Sequence, residues 1–414
     1  IYNAGNNFVH HQQNTNELID AMAKKVHTVV NQDPWWCASS RYADIVLPAT
    51  SHLERDDIST GGTYSNDKIW AMRQVIQPYG ESLDDFEIFR RLAELFGVEY
   101  GFTEGLSVMD IVRKSYANTD ARISFEEFWE TGVAEMEVPD AARRWVRHGD
   151  FYTDPEKNPL HTATGKIGLY VEAFERFGTK ECPPIPKYLE PAEFLGNAKP
   201  GQVHVVSPHP FMRVHSQMAN AECAKHLNIQ GREFALVSEE DARERGVKDG
   251  DLIEVYNERG ALIVGARVSP NIMKGVISIY EGAWLSKDSK GRCNSGAINV
   301  LTTSVAASDL SQATSANTCL AYFRKCTDVE GPNRAYEPPP VETTTSRVEA
   351  AALALTDRAQ QAKAASTAGL TPGEKLFYER CTLCHVPREP GDYTAKQWHG
   401  ITESMFPRAG LSDQ

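Results

Sequence analysis

The sequence predicts a multidomain protein with an α/β domain, a β-barrel and a small all-α module, and three stretches of the chain carry this prediction. Residues 26–48 contain two short apolar runs joined by a brief polar connection, a pattern typical of neighbouring strands in a parallel α/β sheet. Residues 196–326 are dense in short strand-like runs separated by turn residues, which indicates a small closed barrel. Near the carboxyl end, Cys381, Cys384 and His385 have the spacing of a c-type haem attachment signature.

The first 195 residues are expected to form a partial α/β domain. A helix is predicted over residues 16–24, and strands are predicted over residues 26–30 and 43–48. Ligands of parallel α/β sheets bind beyond the carboxyl ends of the strands. The polar residues 31–33 and 49–56 should therefore lie at a binding edge.

The rest of this first domain carries no chemical signal. Residues 124–186 are predicted to be helical insertions and loops. One helix face between residues 86 and 96 is apolar, and we expect it to be core. That face consists of Phe86, Phe89, Leu92, Leu95 and Phe96.

Residues 196–326 are expected to form the barrel. Ser238 is predicted to cap a short helix with Asp241 at its third position and Gly246 after its end. Turn residues 257–260 join two of the strands into a hairpin. The predicted strands are residues 204–207, 234–237, 252–256, 261–268 and 275–280.

A polar loop follows the first barrel strand at residues 207–217. It contains His209, Arg213, His215 and Gln217, which are costly to bury, so the loop should meet water or a polar ligand. A metal site built on the two histidines is an alternative. It is disfavoured because no carboxylate or thiol is spaced along the chain to complete it.

The order of several motifs resembles the molybdopterin oxidoreductases, in particular the dimethyl sulfoxide and trimethylamine-N-oxide reductase branch. The motifs are Asn6 to Gln12, Asn31 to Asp33, Ala43 to Thr50, Leu53 to Asp56 and Asp85 to Ile88. The resemblance implies that these loops hold a guanine dinucleotide arm of a bis-pterin molybdenum cofactor. The matching positions are Asn6, His10, Asp33, Arg55 and Asp85. Carboxylates can accept from guanine or ribose donors, and the guanidinium fork suits phosphate. Taken alone, Arg55 and its acidic neighbours would be a solvated loop.

The same resemblance implies that the barrel is a double-psi β-barrel that binds the pterin dinucleotide. Polar turns from the two lobes would then close over one long nucleotide. Loops at residues 296–301 and 311–315 resemble two further contact loops. The implied cofactor-contacting residues of the barrel are Ser207, His209, Arg213, His215, Gln217, Asn299 and Gln312.

A linker is predicted over residues 327–370 and a truncated cytochrome module over residues 371–414. Within the linker, Pro338, Pro339 and Pro340 are followed by an Ala-rich run. Covalent haem c would be attached at Cys381 and Cys384, with His385 as one iron ligand. Met405 is the candidate sixth ligand and His399 its competitor. A redox dithiol or zinc module at the cysteine pair is the alternative.

The module resembles the monohaem cytochromes that feed trimethylamine-N-oxide reductases, which implies a periplasmic protein. Its electrons would come from a membrane-anchored or soluble cytochrome or quinol donor. The implied reaction is reduction of an N-oxide or S-oxide at molybdenum. Nitrate reduction, formate oxidation, and an electron-transfer cytochrome with a non-catalytic docking domain are the alternatives.

The composition of the chain argues against nucleic acid and membranes as partners. The formal net charge of -13 disfavours nucleic acid and anionic membrane surfaces. No apolar run approaches the ~18 residues of a membrane helix. Six cysteines outside the haem signature lack pairing spacing and are expected to be buried free thiols.

The chain begins without Met at what reads as a strand end, so we expect an internal fragment. The resemblance would then place the serine ligand to molybdenum upstream, and no catalytic residue is predicted.

Overall fold

A parallel sheet opens the chain in the computed structural model, which describes residues 1–61, 67–313 and 318–338. Its strands lie in the order β1 Tyr2–Ala4, β2 Val30–Asp33 and β3 Ile45–Pro48. Both pairings of β2 are parallel, which confirms the predicted sheet. The predicted strand at 26–30 is misplaced, because β2 begins at Val30 and residues 31–33 lie inside it. These polar residues are tolerated since the buried Asn31 amide donates to Ser40 Oγ at 2.9 Å.

Helices pack around this sheet, and one of them differs from expectation. The predicted helix at 16–24 is confirmed. The predicted core face at 86–96 is wrong for Leu95 and Phe96, which are 83% and 76% exposed, whereas Phe86, Phe89 and Leu92 are half-buried. The buried residues of this helix are Ile88 and Ala93. The helices are α1 Phe8–His11, α2 Thr15–Lys25, α3 Ala38–Arg41, α4 Asp85–Leu95 and α5 Glu99–Thr103.

A second, antiparallel sheet and two helices follow, with their own small core of Ile69, Tyr116, Phe128 and Ala134. The strand at 133–135 lies in a segment predicted to hold only helices and loops. The elements are β4 Asp57–Thr60, β5 Lys68–Met72, α6 Val108–Ala117, α7 Phe125–Thr131 and β6 Val133–Glu135. Three short helices come next, none of them with a buried residue: α8 Asp140–Arg143, α9 Gly149–Thr153 and α10 Glu172–Phe177.

Six strands close the predicted barrel, in the order β10-β8-β11-β7-β12-β9. Each predicted barrel strand is present, and Ser238 Oγ accepts from the Asp241 N–H as the expected helix cap. The last strand was not singled out in advance. The barrel elements are β7 Val203–Val206, α11 Glu222–Lys225, β8 Phe234–Ser238, α12 Glu239–Glu244, β9 Leu252–Tyr256, β10 Ala261–Ser269, β11 Val276–Ile279 and β12 Thr318–Lys325, with 3-10 turns at Leu195–Asn197 and Ile298–Val300.

One apolar core joins the barrel to the parallel-sheet lobe. Val9, Met22 and Val29 of the lobe belong to the same buried cluster as the inward residues of the barrel strands. This shared core fixes the short helix α1 against the barrel loops. The six cysteines in the described residues are free, as expected, and four of them are buried, but Cys182 is half-buried and Cys223 is exposed, contrary to expectation. Within the described ranges, no helix is long and apolar enough to cross a membrane.

Candidate functional site

The loop after β7 is held in place by the buried side chain of Arg213. Its Nη2 donates to Glu233 Oε2 at 2.8 Å and to the Glu281 carbonyl at 2.6 Å, and its Nε donates to the His215 carbonyl at 3.1 Å. The side chains of Arg213 and Glu233 are each only 4% exposed. Burial raises the pKa of Glu233, and the guanidinium opposes that shift. Arg213 thus positions the loop, and its donors point into the protein.

Gly282 allows the loop to approach the end of β11. Its φ is +100°, a conformation that L side chains rarely adopt, and a Cβ there would overlap the His215 carbonyl. His215 itself lies in the left-handed region with φ +51°. The loop is therefore fixed on both sides, by a buried ion pair and by a backbone contact that only glycine permits.

Two histidines of this loop converge on Glu281, a residue that the sequence did not single out. His215 Nδ1 lies 2.5 Å from Glu281 Oε1, and His209 Nδ1 lies 3.1 Å from the same oxygen. The two imidazole rings are 4.5 Å apart in an edge-to-face arrangement. The expectation that no carboxylate could complete a site with these histidines is wrong, because β11 brings one from 66 residues away.

His10 and Ser207 are the two buried groups that lack partners at this place. His10 Nδ1 and Ser207 Oγ have no hydrogen-bond partner among the described residues, and the two residues are 5% and 7% exposed. Burial lowers the pKa of His10 to about 3, with His11 and Arg213 adding to the effect, so the ring is neutral near pH 7. Burying an unsatisfied polar atom is costly, so both atoms indicate a ligand.

Asn299 ties the 3-10 turn of the barrel to helix α1. Its Nδ2 donates to the His10 carbonyl at 2.8 Å, and its Oδ1 accepts from Thr302 Oγ1 at 2.8 Å. This amide therefore holds the lobe and the barrel together at the site.

A cavity of about 400 Å³ brings these groups together. It collects five of the predicted cofactor-contacting residues, one from the lobe and four from the barrel loops. The lining residues are His10, His11, Gln13, Ser207, His209, His215, Glu281, Ile298, Asn299 and Thr302.

Asp33, Arg55 and Asp85 form a separate polar group at the carboxyl ends of the parallel strands. Arg55 Nη1 lies 3.8 Å from Asp85 Oδ2, and Gln32 Nε2 donates to Asp85 Oδ1 at 2.6 Å. Burial raises the pKa of Asp33, whose Oδ1 accepts from the Trp35 N–H at 2.8 Å. Arg55 and Asp85 line a second cleft of about 210 Å³. Arg55 and Asp85 thus line a different cavity from His10, Ser207 and the other barrel-loop residues.

The remaining predicted residues lie elsewhere. Asn6, Gln217 and Gln312 are exposed and line neither of these two cavities. The haem-module residues Cys381, Cys384, His385, His399 and Met405 lie outside the described residues, so the structure does not bear on them.

Two family models match the chain. Residues 1–95 match "Molybdopterin oxidoreductase", and residues 203–320 match "Molydopterin dinucleotide binding domain". The second match contains the loop of Arg213, the carboxylate of Glu281 and the turn of Asn299. The first match contains His10 and the Asp33 group.

Two relatives of this chain are named as reductases. The chain is 39% identical over 341 residues to a trimethylamine-N-oxide reductase of Haemophilus influenzae, covering 78% of this chain and 41% of the relative. It is 40% identical over 334 residues to a dimethyl sulfoxide/trimethylamine N-oxide reductase of Cereibacter sphaeroides, covering 78% of this chain and 40% of the relative. The chain thus spans about two fifths of the length of these relatives.

Among solved structures, acetylene hydratase from Pelobacter acetylenicus aligns with a TM-score of 0.59 and 21% identity. The alignment covers 78% of this chain and 44% of that protein. At this identity the similarity establishes the fold and nothing about the reaction.

Proposed function

We propose that this chain, of which residues 1–95 and 203–320 match molybdopterin oxidoreductase family models, is part of a molybdenum-dependent reductase of N-oxides or S-oxides. The relatives named as such reductases are about 40% identical to it, which supports this reaction class. The whole reaction is a proposal, since the chain spans only part of those relatives. Its contribution would be to hold the cofactor.

The cavity between α1 and the barrel loops is the proposed site for part of a bis(molybdopterin guanine dinucleotide). The observation that carries this assignment is the pair of buried, unpartnered atoms His10 Nδ1 and Ser207 Oγ. A long polar ligand with many donors and acceptors would satisfy both. When bound, the cofactor supplies a metal centre capable of oxygen-atom transfer.

The residues of the cavity would divide the work of binding. His10 is neutral, and its ring donates its one N–H to the Ala283 carbonyl, which leaves the unpartnered Nδ1 to accept a hydrogen bond from the ligand. Ser207 can rotate its hydroxyl to suit the ligand. His209 and His215 expose 66% and 49% of their side chains and would lie along the ligand. Asn299 and Arg213 would position these groups through the contacts described above.

The Asp33 group is the proposed site for a second segment of the cofactor. Arg55 lies 3.6 Å from Asp57 and 3.8 Å from Asp85, distances at which its guanidinium is not fully committed to either carboxylate. It could therefore receive a phosphate, while the carboxylates accept from ribose or guanine donors. The exposed amides of Asn6, Gln217 and Gln312 are proposed as further contacts on the strength of the resemblance.

Electron entry through a covalent c-type haem completes the proposal. Cys381 and Cys384 would attach the haem, His385 and Met405 would bind iron, and His399 is the competitor for the sixth position. Haem attachment of this type implies a periplasmic location and a cytochrome or quinol donor. This part is supported by the sequence motif alone.

Expression of the gene with molybdenum and haem supply tests the proposed function. We expect reduced methyl viologen to be oxidised by trimethylamine-N-oxide or dimethyl sulfoxide, and we expect covalent haem absorption. Oxidation by nitrate alone would refute the oxide assignment. A protein free of molybdenum that still carries haem would favour the electron carrier with a docking domain instead.

A further inference from the structure

Residues 330–337 form a strap that is fixed to the barrel by two buried side chains. Arg232 Nη2 donates to the Gly331 carbonyl at 2.8 Å. Asn294 Nδ2 donates to the carbonyls of Gly331 and Pro332 at 3.3 Å and 3.2 Å. The strap lies within the segment predicted as a linker, and it is outside the residues that either family model matches. A segment without helix or strand is therefore held in place by its backbone carbonyls.

The other end of the strap is held by Arg41 of helix α3 in the parallel-sheet lobe. Its Nη2 lies within hydrogen-bond distance of three strap carbonyls, at 2.8, 3.1 and 2.6 Å, which belong to Arg334, Ala335 and Glu337. Ala335 is fully buried, in a small apolar cluster with Cys37, the residue before α3. The strap therefore ties α3 to the barrel.

Helix α3 in turn supports the lobe wall of the cofactor cavity. Ser39 Oγ accepts from the Val9 N–H at 3.1 Å and donates to Asn7 Oδ1 at 3.0 Å. Asn7 and Val9 are the N-cap and a first-turn residue of α1, the helix that carries His10. Arg41 and Ser39 lie two residues apart on α3, so the strap restrains the backbone that presents His10 to the cavity.

The strap supports the barrel wall of the cavity through Trp284. The ring of Tyr336 lies 5.5 Å from the ring of Trp284, and the indole Nε1 donates to the Ser216 carbonyl at 2.8 Å. Ser216 directly follows His215 in the cofactor loop. Trp284 lies three residues after Glu281, on the other segment of this wall. The buried indole thus links the two segments, and Tyr336 packs against it.

We propose that the strap positions both walls of the cofactor cavity, with Arg41 and Tyr336 as positioning residues. Arg41 acts through α3 and α1, and Tyr336 acts through Trp284. Because both walls are held in place before the ligand arrives, binding the cofactor would cost less conformational entropy. The inference rests on the proposed function for the identity of the ligand, whereas the contacts of the strap can be tested without it.

Hydrogen exchange of the full chain, produced in a host that cannot make the cofactor, tests these contacts. The reporter amides each donate to a backbone carbonyl, and they are His10 and His11 in the lobe wall and Gln217 and Ala219 in the barrel wall. We expect Arg41→Gln to speed exchange in the lobe wall and Tyr336→Ala to speed it in the barrel wall. Each increase should be about tenfold, since lost aromatic packing or charged hydrogen bonds favour local opening by that order. Exchange in β9 should not change.

Tyr322→Ala is the matched control for Tyr336→Ala. Tyr322 is also a half-buried tyrosine, and its ring lies 5.7 Å from that of Tyr256 on the barrel. This control should not speed exchange at the reporter amides. Tyr336→Phe keeps the ring against Trp284, so it should exchange as wild type does.

Arg245→Gln is the matched control for Arg41→Gln. Arg245 is also half-buried and donates to two backbone carbonyls, those of Asp241 and Gly201, both at 3.3 Å. It should leave the reporter amides unchanged even if it lowers global stability. The two strap variants remove different contacts, so either one is sufficient should the other fail to fold.

The rate at which cofactor-loaded protein loses guanine tests the consequence for binding. We expect Arg41→Gln and Tyr336→Ala to lose guanine faster than wild type, Tyr336→Phe and the two controls. Wild type that contains no guanine would refute the cofactor assignment, and the exchange result would still decide on the strap. Unchanged exchange at the reporter amides in the strap variants that fold, or equal acceleration in their controls, would overturn the proposal. Equal guanine loss from loaded wild type and loaded strap variants would also overturn it.

Discussion

Ser207 gives the sharpest test of whether the cavity is built for a ligand. Its hydroxyl is buried without a partner among the described residues. An unsatisfied buried hydroxyl costs about 1–3 kcal/mol, and a void the size of one small group costs about 1 kcal/mol. Ser207→Ala should therefore leave the ligand-free chain equally stable or more stable, by up to about 2 kcal/mol. The same change should weaken binding of the ligand that the hydroxyl serves.

Urea unfolding of the ligand-free chain, followed by tryptophan fluorescence, measures the first effect. Ser238→Ala is the matched control, because Ser238 is a buried serine of the same barrel whose Oγ accepts from the Asp241 N–H at 3.1 Å. Loss of that cap should destabilise the protein by about 1 kcal/mol. The reasoning is refuted if Ser207→Ala destabilises the ligand-free chain as much as Ser238→Ala does.

Three further predictions concern the supports of the site. Arg213→Met should destabilise the chain by about 3–5 kcal/mol in urea unfolding, since it leaves Glu233 buried and uncompensated. Adding Glu233→Gln to this variant should restore stability, and a failure to do so would contradict the ion-pair explanation. In the unfolded chain His10 has an ordinary pKa near 6.5, whereas in the folded chain its pKa is about 3, so the free energy of unfolding should fall as the pH drops below 6.5, by up to about 1.4 kcal/mol per pH unit from this group. Measured between pH 5 and 6.5, the free energy of unfolding of His10→Gln should depend less steeply on pH than that of wild type. Equal pH dependence in the two proteins would refute the buried, neutral state of His10. Phe96→Ser should change the free energy of unfolding by less than about 0.5 kcal/mol, because the ring is 76% exposed, whereas Ile88→Ser should cost several times more, because Ile88 is buried. Similar losses of stability in the two variants would contradict the description of α4.

The barrel was predictable because its signals are local. Short β-branched runs, the turn at 257–260 and the cap formed by Ser238 each specify one element by themselves, and each predicted strand is present. Closure depends on β12, whose place between β7 and β9 is a long-range pairing that no local pattern reports.

The polar loop was recognised but its contacts were not. Histidine and arginine cannot be buried alone, so their density predicted a site. Arg213 nevertheless points inward, because Glu233 supplies a buried partner 20 residues away. Glu281 was missed for the same reason. Its neighbour Gly282 was the available signal, since a glycine at a strand end often marks close backbone approach.

Two errors in the lobe have different physical causes. Residues 31–33 are predicted to follow the strand because the apolar run ends at Val30, yet hydrogen bonds from Asn31 and Gln32 compensate their amides inside the sheet. On α4, the apolar pattern was real, but periodicity identifies a face without telling what covers it. Leu95 and Phe96 are exposed in the described structure.

The central claim is that the cavity holds a pterin guanine dinucleotide. The most direct test is to produce the protein from its gene in a host that makes the molybdenum cofactor and to measure its guanine content. Guanine released by acid hydrolysis should be present in wild type and in Ser59→Val, which changes an exposed strand residue. It should be strongly reduced in Ser207→Val, which places methyl groups in the cavity. Equal guanine in all three proteins, or none in wild type, would contradict the claim that this cavity holds a pterin guanine dinucleotide.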